Sequence, residues 1–275
     1  MRKTQLVWTF AAAILGSLSS AASTRAQTPT PPNVTPPAQA SAMPDCPEVA
    51  RAMRDLIAQD ARLRDWQNLT RYRLSNEEVA RAGTMVPVAF LGDSITDAWD
   101  DEGRGGFFPG KGYLNRGIGG QTTPQMLVRL RPDVLVHKPK VLVLLAGTND
   151  IAGNTGPMTN EDIEQNLAAI AELASAHGVK VVLAGVLPIS DYHQKPDVVA
   201  QVIRRPMTRI NAVNTWLRQY AAEHGHVYLD YAPAVADARG MLKREFSEDD
   251  LHPNALGYAA MAPLAEAAIA EAMKK

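Results

Sequence analysis

The chain has 275 residues, of which 46% are hydrophobic and 21% charged, a composition typical of a globular protein with a sizeable core. Its formal net charge of −1 at pH 7 provides no basic surface for nucleic acid or for an anionic membrane. We therefore expect a small or neutral molecule as the partner, and no nucleic acid. Cys46 is the single cysteine, so a disulfide within the chain is excluded.

Residues 1–26 have the pattern of a secretory signal peptide. Arg2 and Lys3 precede an apolar stretch at residues 6–15, and small residues then lead to a cleavage site at Ala26. Because that stretch is shorter than the roughly 20 residues that span a bilayer, we expect export to the periplasm or the medium. No stable membrane insertion is expected after cleavage, and the alternative is an uncleaved membrane tether.

Two segments precede the main domain. Residues 27–46 are rich in Pro, Thr and Ala with hardly any large apolar side chain, which predicts a disordered linker. Residues 47–82 are predicted to form an N-terminal helical extension, which opens at Pro47 with a helix expected to pack on the main domain. That helix is indicated by apolar residues at three- to four-residue intervals, namely Val49, Met53, Leu56, Leu63 and Trp66.

Residues 83–275 alternate strand-like and helix-like segments. Apolar runs predict strands at 86–91, 113–118, 141–146, 179–186 and 227–231. Helical patterns lie at about 124–130, 161–177, 205–224 and 255–273. This order predicts an α/β fold, a flavodoxin-like three-layer α/β/α sandwich with a mainly parallel five-stranded sheet.

Polar and glycine-rich segments follow the predicted strands, at the sheet edge where such folds bind ligands. They are Gly92-Asp93-Ser94, Gly117-Ile118-Gly119-Gly120, Gly147-Thr148-Asn149-Asp150 and Asp249-Asp250-Leu251-His252. Acyl transfer needs a nucleophile, a base, a group that orients the base, and donors for the oxyanion. Ser94, His252 and Asp249 are the candidates for the first three roles. The candidate oxyanion donors are the backbone N–H groups of Ser94 and Gly120 and the side-chain amide of Asn149.

Each of these residues also has a purely structural interpretation. Ser94 and Asp93 are favoured helix caps, the glycines permit tight turns, and Asn149 suits a loop. These structural interpretations do not explain why a nucleophile, oxyanion donors, a base and its orienting acid all occur in one chain. They also do not explain why each of these residues follows a predicted strand. A metal site built on His224 and His226, or on the acidic residues around Asp97, is a weaker alternative, and no metal is expected.

The motifs "GDSIT", "NRGIGGQTT", "GTND" and "DLHPN" resemble, in that order, the sequence blocks of the GDSL or SGNH hydrolases. The segments "LNRGIGGQTTPQMLVRL" and "KPKVLVLLAGTND" look most like the catalytic subunits of intracellular platelet-activating-factor acetylhydrolase and their bacterial relatives. The resemblance implies the SGNH hydrolase fold, ester hydrolysis through an acyl-enzyme, and no cofactor. It implies the same roles for Ser94, Gly120, Asn149, Asp249 and His252. In the acetylhydrolase-like members an acidic residue often follows the glycine that corresponds to Gly120, whereas this chain has Gln121 there.

The resemblance and the predicted export favour a short-chain acyl substrate, such as an acetyl ester of a carbohydrate. The alternatives are a longer-chain lipase, lysophospholipase or thioesterase, and a non-catalytic carbohydrate- or lipid-binding protein on the same fold. The sequence leaves the alcohol part and the oligomeric state open. Five side chains could either line the substrate pocket or pack in the core, namely Trp99, Phe107, Phe108, Met158 and Tyr192.

Overall fold

The computed structural model describes residues 47–101 and 103–275. The predicted signal peptide and linker, residues 1–46, lie outside the described residues. Residues Arg51–Lys275 form one compact unit, which contains every residue of the candidate site.

Five parallel strands form one sheet in the order β2-β1-β3-β4-β5, which confirms the predicted fold class. The strands are β1 (Val88–Gly92), β2 (Leu114–Gly117), β3 (Val141–Leu145), β4 (Lys180–Ala184) and β5 (Val227–Leu229). Gly92 pairs with Gly117 on one side and with Leu145 on the other, so the neighbouring strands β2, β1 and β3 end in register. The loops that follow them therefore meet at one edge of the sheet.

The helices of the described residues flank this sheet. They are α1 (Pro47–Arg64), α2 (Arg73–Ala82), α3 (Ser94–Asp97), α4 (Thr123–Asp133), α5 (Thr148–Ile151), α6 (Asn160–Ala176), α7 (Gln201–Arg204), α8 (Met207–Glu223), α9 (Ala232–Val235) and α10 (Ala255–Ala272). Short 3₁₀ turns lie at Ala98–Asp100, Leu135–His137 and Arg244–Phe246. None of the helices in the described ranges is both long and apolar enough to cross a membrane.

Alternate residues of each strand feed two separate cores, one on each face of the sheet. Leu91 of β1 packs in the core that contains apolar residues of α4, α6 and α8. Its neighbour Phe90 packs in the other core, which contains the apolar residues of α10. Both faces are thus covered by helices, as the continuous apolar strands predict.

Five side chains are expected either to line the substrate pocket or to pack in the core. Three of them join an aromatic cluster around Phe90. Trp99 and Phe108 are buried there, and Phe107 packs edge-on against Phe90 with ring centroids 5.0 Å apart. Met158 packs against the opposite core, and the Tyr192 hydroxyl donates to Asp237. All five therefore make packing or loop contacts.

The first helix departs from the expected packing. The helix α1 forms, but its apolar residues Val49, Met53, Leu56 and Leu63 are all exposed. The helix ends at Arg64, and in the turn that follows the carbonyl groups of Trp66 and Gln67 accept from Gln125 of α4 and from Gln121, which precedes α4. Asn76 of α2 also donates to Asp133 of α4 and accepts from Arg116 of β2. The extension therefore meets the sheet domain through this turn and α2 rather than through the apolar face of α1.

Candidate active site

Ser94 is the first residue of α3, directly beyond the carboxyl end of β1. The Asp93 carboxylate caps this helix by accepting the Ile95 N–H at 2.9 Å, and the Tyr258 hydroxyl of α10 donates to the Ile95 carbonyl at 2.8 Å. A Cβ on Gly117 would lie 2.0 Å from the backbone nitrogen of Asp97, so only glycine lets α3 lie directly on β2. The Ser94 side chain is therefore held at the edge of the sheet.

Ser94, His252 and Asp249 form a continuous chain of hydrogen bonds. Ser94 Oγ lies 2.8 Å from His252 Nε2, and His252 Nδ1 lies 2.6 Å from Asp249 Oδ2. The backbone N–H of His252 donates to the other carboxylate oxygen, Oδ1, at 2.8 Å. The structure thus brings the three predicted side chains together in the predicted order.

The Asp249 carboxylate is held in its ionised form. Burial alone would raise its pKa, but the hydrogen bonds from the His252 ring and backbone outweigh burial and place the pKa below its usual value. The Leu251 N–H adds a further hydrogen bond at 3.1 Å. An ionised carboxylate at Nδ1 requires the ring proton there, which leaves Nε2 free to accept the Ser94 hydroxyl proton.

The segment that carries Asp249 and His252 is fixed from both sides. Asn254 caps α10 by accepting the Leu256 and Gly257 N–H groups at 3.1 and 3.2 Å. Asp250 is buried and has a left-handed backbone with φ of +67°, and its carboxylate accepts the Ser190 hydroxyl at 2.7 Å. The triad geometry is therefore supported by the loop after β4 as well as by α10.

Gly120 lies in a tight turn beside Ser94. A Cβ on Gly119 would contact the Ser94 Cβ at 3.8 Å, and the Gly119 N–H donates to Asp97 at 3.1 Å. Gly120 has a φ of +78°, in the left-handed region that favours glycine. Among the described residues, neither the Ser94 N–H nor the Gly120 N–H has a hydrogen-bond acceptor. Within the described residues, these two backbone N–H groups, which are predicted oxyanion donors, therefore have no protein partner.

The Asn149 side chain, the third predicted oxyanion donor, is buried and held at both ends. Its Nδ2 donates one hydrogen to the Gln121 carbonyl at 3.0 Å, and its Oδ1 accepts from Arg205 Nη2 at 3.2 Å. A primary amide has two hydrogens, so one remains for a ligand. The contact with Gln121 places this amide next to the Gly120 turn.

Arg205, which the sequence analysis did not single out, is a buried partner of the Asn149 loop. Its Nε donates to the Thr148 carbonyl at 3.1 Å and to the Thr148 hydroxyl at 3.0 Å, while Nη1 donates to Gln201. Burial lowers its pKa to about 10, so the guanidinium stays charged at neutral pH. The residue lies between Arg204 and Pro206, before α8 begins, and this sequence context carries no signal of burial.

Arg129 of α4 connects the two loops that carry Ser94 and Gly120. Its guanidinium is fully buried and donates to the Gly92 carbonyl at 2.9 Å and to Gln121 Oε1 at 2.5 Å. It also forms a buried ion pair with Asp133 at 3.3 Å. An arginine on the same helix face as the apolar Met126 was a signal that sequence reasoning could have used.

Two buried aspartates lie close to this machinery. Asp93 and Asp150 each have one carboxylate oxygen without a hydrogen-bond partner in residues 47–101 and 103–275. Burial raises the pKa of Asp93 to about 6, and the charge of Asp150 adds to that rise. The other oxygen of Asp150 accepts the N–H and hydroxyl of Thr123 at 2.8 and 2.6 Å. Asp150 therefore anchors the start of α4 to the loop after β3.

The metal alternative gains no support from the geometry. Within the described ranges, no group of three or more His, Cys, Asp or Glu side chains is arranged to hold a metal ion. The His224 and His226 rings lie 6.3 Å apart, and His224 stacks on Tyr220 with ring centroids 4.0 Å apart. These two histidines therefore pack at the helix-to-strand turn after α8.

Comparison with known proteins shows the family of this chain. Residues 90–260 match the GDSL-like lipase/acylhydrolase family. A solved GDSL-like lipase from Bacteroides thetaiotaomicron is 33% identical and superposes with a TM-score of 0.64, over 76% of this chain and 100% of that one. The platelet-activating factor acetylhydrolase IB subunit alpha1 of Bos taurus is 30% identical over 181 residues, 62% of this chain and 69% of that protein.

A shorter match is to the uncharacterized lipoprotein YqeF of Bacillus subtilis, 39% identical over 85 residues. This match spans 30% of the present chain and only 35% of the lipoprotein. The family match covers more than half of the chain and includes Ser94, Gly120, Asn149, Asp249 and His252. The chain belongs to the GDSL-like lipase/acylhydrolase family.

Proposed function

We propose that this protein is a serine ester hydrolase that acts through an acyl-enzyme on Ser94. The observation that carries the proposal is the hydrogen-bonded chain from Ser94 through His252 to the ionised Asp249. The chain supplies a nucleophile, a base and an orienting carboxylate at the edge of the sheet where the open N–H groups also lie. No step of this chemistry requires a cofactor.

The reaction follows from these contacts. Ser94 Oγ attacks the ester carbonyl carbon while His252 Nε2 takes the hydroxyl proton, and the carbonyl oxygen becomes an oxyanion. The N–H groups of Ser94 and Gly120 and the free amide hydrogen of Asn149 donate to that oxyanion. Collapse of the intermediate breaks the bond to the alcohol, which leaves with the proton from His252. Water, activated by the same imidazole, then attacks the acyl-enzyme and releases the acid and Ser94.

The substrate we propose is a short-chain acyl ester, such as an acetylated carbohydrate. The similarity to an acetylhydrolase subunit supports a small acyl group. The sequence of residues 1–26 supports export, so a substrate in the periplasm or outside the cell is accessible. Similarity to a lipoprotein over part of the chain is compatible with that location.

A series of p-nitrophenyl esters from acetate to decanoate tests this function on the mature protein. We expect the highest kcat/KM on acetate or propionate, a sharp fall with longer chains, and no turnover by Ser94→Ala. Ser175→Ala is a suitable control because Ser175 is exposed on α6, away from the triad. A higher kcat/KM on the long-chain esters than on acetate would identify a lipase. Absence of hydrolysis across the series would favour the binding-protein alternative.

A further inference from the structure

A cavity of about 940 Å³ opens beside the Gly120 turn. One wall is the turn after α1, which contributes Asp65, Trp66, Asn68 and Thr70. The turn at residues 153–155 and Arg204 also line the cavity. An acyl group bound at the oxyanion donors would fill only a fraction of this space, so the cavity is available to another part of the substrate.

Most residues that line the cavity have polar side chains or are glycines, and the large apolar residues among them are Trp66 and Ile118. The other contributors are glycines or carry amide, hydroxyl, carboxylate or guanidinium groups. Pockets for long acyl chains are lined mainly by aliphatic and aromatic side chains, so this lining does not suit a lipid chain. A cavity whose lining combines one tryptophan with several amide side chains suits a ligand with apolar ring faces and many hydroxyl groups. A sugar has both features.

Trp66 is presented on a turn that is already ordered. Trp66 is 39% exposed, while its backbone carbonyl accepts from Gln125 Nε2 at 2.6 Å. The next carbonyl, of Gln67, accepts from Gln121 Nε2 at 2.8 Å. The Asp65 carboxylate closes the turn by accepting the N–H of Leu69 at 2.7 Å. A ligand would therefore bind without having to order this wall first.

Two other polar side chains of the lining, Asn154 and Arg204, are fixed as well. Asn154 Nδ2 donates to the Gly120 carbonyl at 3.1 Å, and Asn154 Oδ1 accepts from Arg204 Nη2 at 3.2 Å. Both side chains keep further donors, because an amide has two hydrogens and a guanidinium has five. Hydroxyl groups at the rim of a sugar ring could accept from them while the ring face lies on the indole.

We propose that this cavity is a carbohydrate subsite of the enzyme, in which Trp66 stacks on a sugar ring and Asn68, Asn154 and Arg204 bind its hydroxyl groups. This inference rests on the proposed ester hydrolysis at Ser94. The acetylated sugar lies next to His252, which must protonate the leaving oxygen, and a neighbouring sugar unit of the same oligosaccharide occupies the cavity. The bound class is thus an acetylated oligosaccharide rather than an acetylated monosaccharide or a lipid.

Kinetics on two substrates test the subsite. We expect Trp66→Ala to lower kcat/KM for acetylated xylo-oligosaccharides about tenfold more than kcat/KM for p-nitrophenyl acetate, mainly through KM. Trp66→Phe, which keeps an aromatic face, should recover most of that loss. Asn68→Gly removes the amide at a position with φ of +56° without adding backbone strain, and should weaken the oligosaccharide reaction in the same selective way. Leu63→Ala, an exposed residue outside the cavity, is the matched control and should change neither reaction.

Binding to the Ser94→Ala variant separates the subsite from the chemistry. Calorimetry with unacetylated xylohexaose should detect binding that is lost in the Ser94→Ala/Trp66→Ala double variant. If Trp66→Ala reduces both reactions equally and leaves xylohexaose binding intact, the subsite is wrong while the esterase function stands. If the wild type hydrolyses neither ester, the proposed function fails, and the subsite fails with it.

Discussion

Arg205 Nη2 donates a hydrogen bond to Oδ1 of Asn149 at 3.2 Å, which turns the NH₂ group of that amide away from the guanidinium. The same arginine is anchored on the carbonyl and hydroxyl of Thr148. Arg205 therefore acts through Asn149, as a positioning residue for the proposed oxyanion donor. A further hydrogen bond from Arg205 Nη1 to Gln201 of α7 holds the guanidinium in place.

We predict that Arg205→Met lowers kcat about 10- to 100-fold with a KM change of less than about twofold, because a misplaced amide weakens only the transition state. Steady-state kinetics on p-nitrophenyl acetate check this split. Arg205→Lys should recover only part of the activity. Its ammonium group keeps the charge but cannot contact Thr148 and Asn149 together as the guanidinium does.

A double-mutant cycle separates positioning from a general loss of stability. In an Asn149→Ala background, which itself should lower kcat about 10²- to 10³-fold, Arg205→Met should cost less than about threefold more. If Arg205→Met costs the same factor in both backgrounds, Arg205 does not act through Asn149.

Asp249 and His252 should differ in the size of their effects. His252→Ala removes the base and should lower kcat about 10⁵-fold, whereas Asp249→Asn keeps a neutral acceptor for the His252 backbone N–H and should lower it about 10³-fold. Steady-state assays with p-nitrophenyl acetate measure the kcat of both variants. Equal and negligible losses in the two variants would exclude this pair from catalysis.

The buried Asp93 predicts a specific pH dependence of stability. Burial raises the pKa of Asp93 to about 6 in the folded chain, while in the unfolded chain its carboxyl group has the ordinary pKa of about 3.8. Between these values the folded state binds more protons, so this residue lowers the free energy of unfolding as pH rises through that window. The free energy of unfolding of Asp93→Asn, relative to that of the wild type, should therefore be about 2 kcal/mol higher at pH 8 than at pH 4.

Urea denaturation of the wild type and Asp93→Asn at both pH values measures this difference. Asp197→Asn, a change at an exposed carboxylate, serves as the control for surface charge. An Asp93→Asn effect of the same size at both pH values would show that Asp93 titrates alike in the folded and unfolded chain.

Gln121 connects the turn at residues 65–70 to the Gly120 turn. Gln121→Glu keeps an oxygen for Arg129 but removes the Nε2 donor to the Gln67 carbonyl. Losing one such hydrogen bond should increase hydrogen–deuterium exchange of the Leu69 and Thr70 amides about tenfold. Gln219→Glu on the exposed face of α8 should leave their exchange unchanged. Equal protection in the wild type and Gln121→Glu would mean that Gln121 does not order this turn.

The fold was predictable because its signals are local. The runs Val88–Gly92 and Val141–Leu145 are apolar throughout, which only strands covered on both faces require. The predicted positions of Ser94, Gly120, Asn149 and His252 followed from a rule of parallel sheets, that polar residues after successive strands meet at one edge. Element ends were less accurate; the helix predicted from residue 205 begins at Met207 because Pro206 precedes it as the N-cap.

The supporting contacts depend on pairs that are far apart in the chain. Arg205 and Asn149 are separated by 56 positions, and Gln121 and Gln67 by 54, so no local pattern predicts either hydrogen bond. The apolar spacing predicts Trp66 in the helix that begins at Pro47, yet α1 ends at Arg64 and Trp66 lines a cavity instead. Such contacts are fixed by the packing of α4 and α8 against the sheet.

Labelling with a fluorophosphonate tests the acyl-enzyme on Ser94 most directly, because the reagent forms a stable bond only with an activated nucleophile. Intact-protein mass spectrometry of the wild type should show one adduct, with the modified peptide containing Ser94. The Ser94→Ala variant should remain unlabelled, and His252→Ala should react far more slowly. Labelling of Ser94→Ala at the wild-type rate would contradict the assignment of Ser94 as the nucleophile.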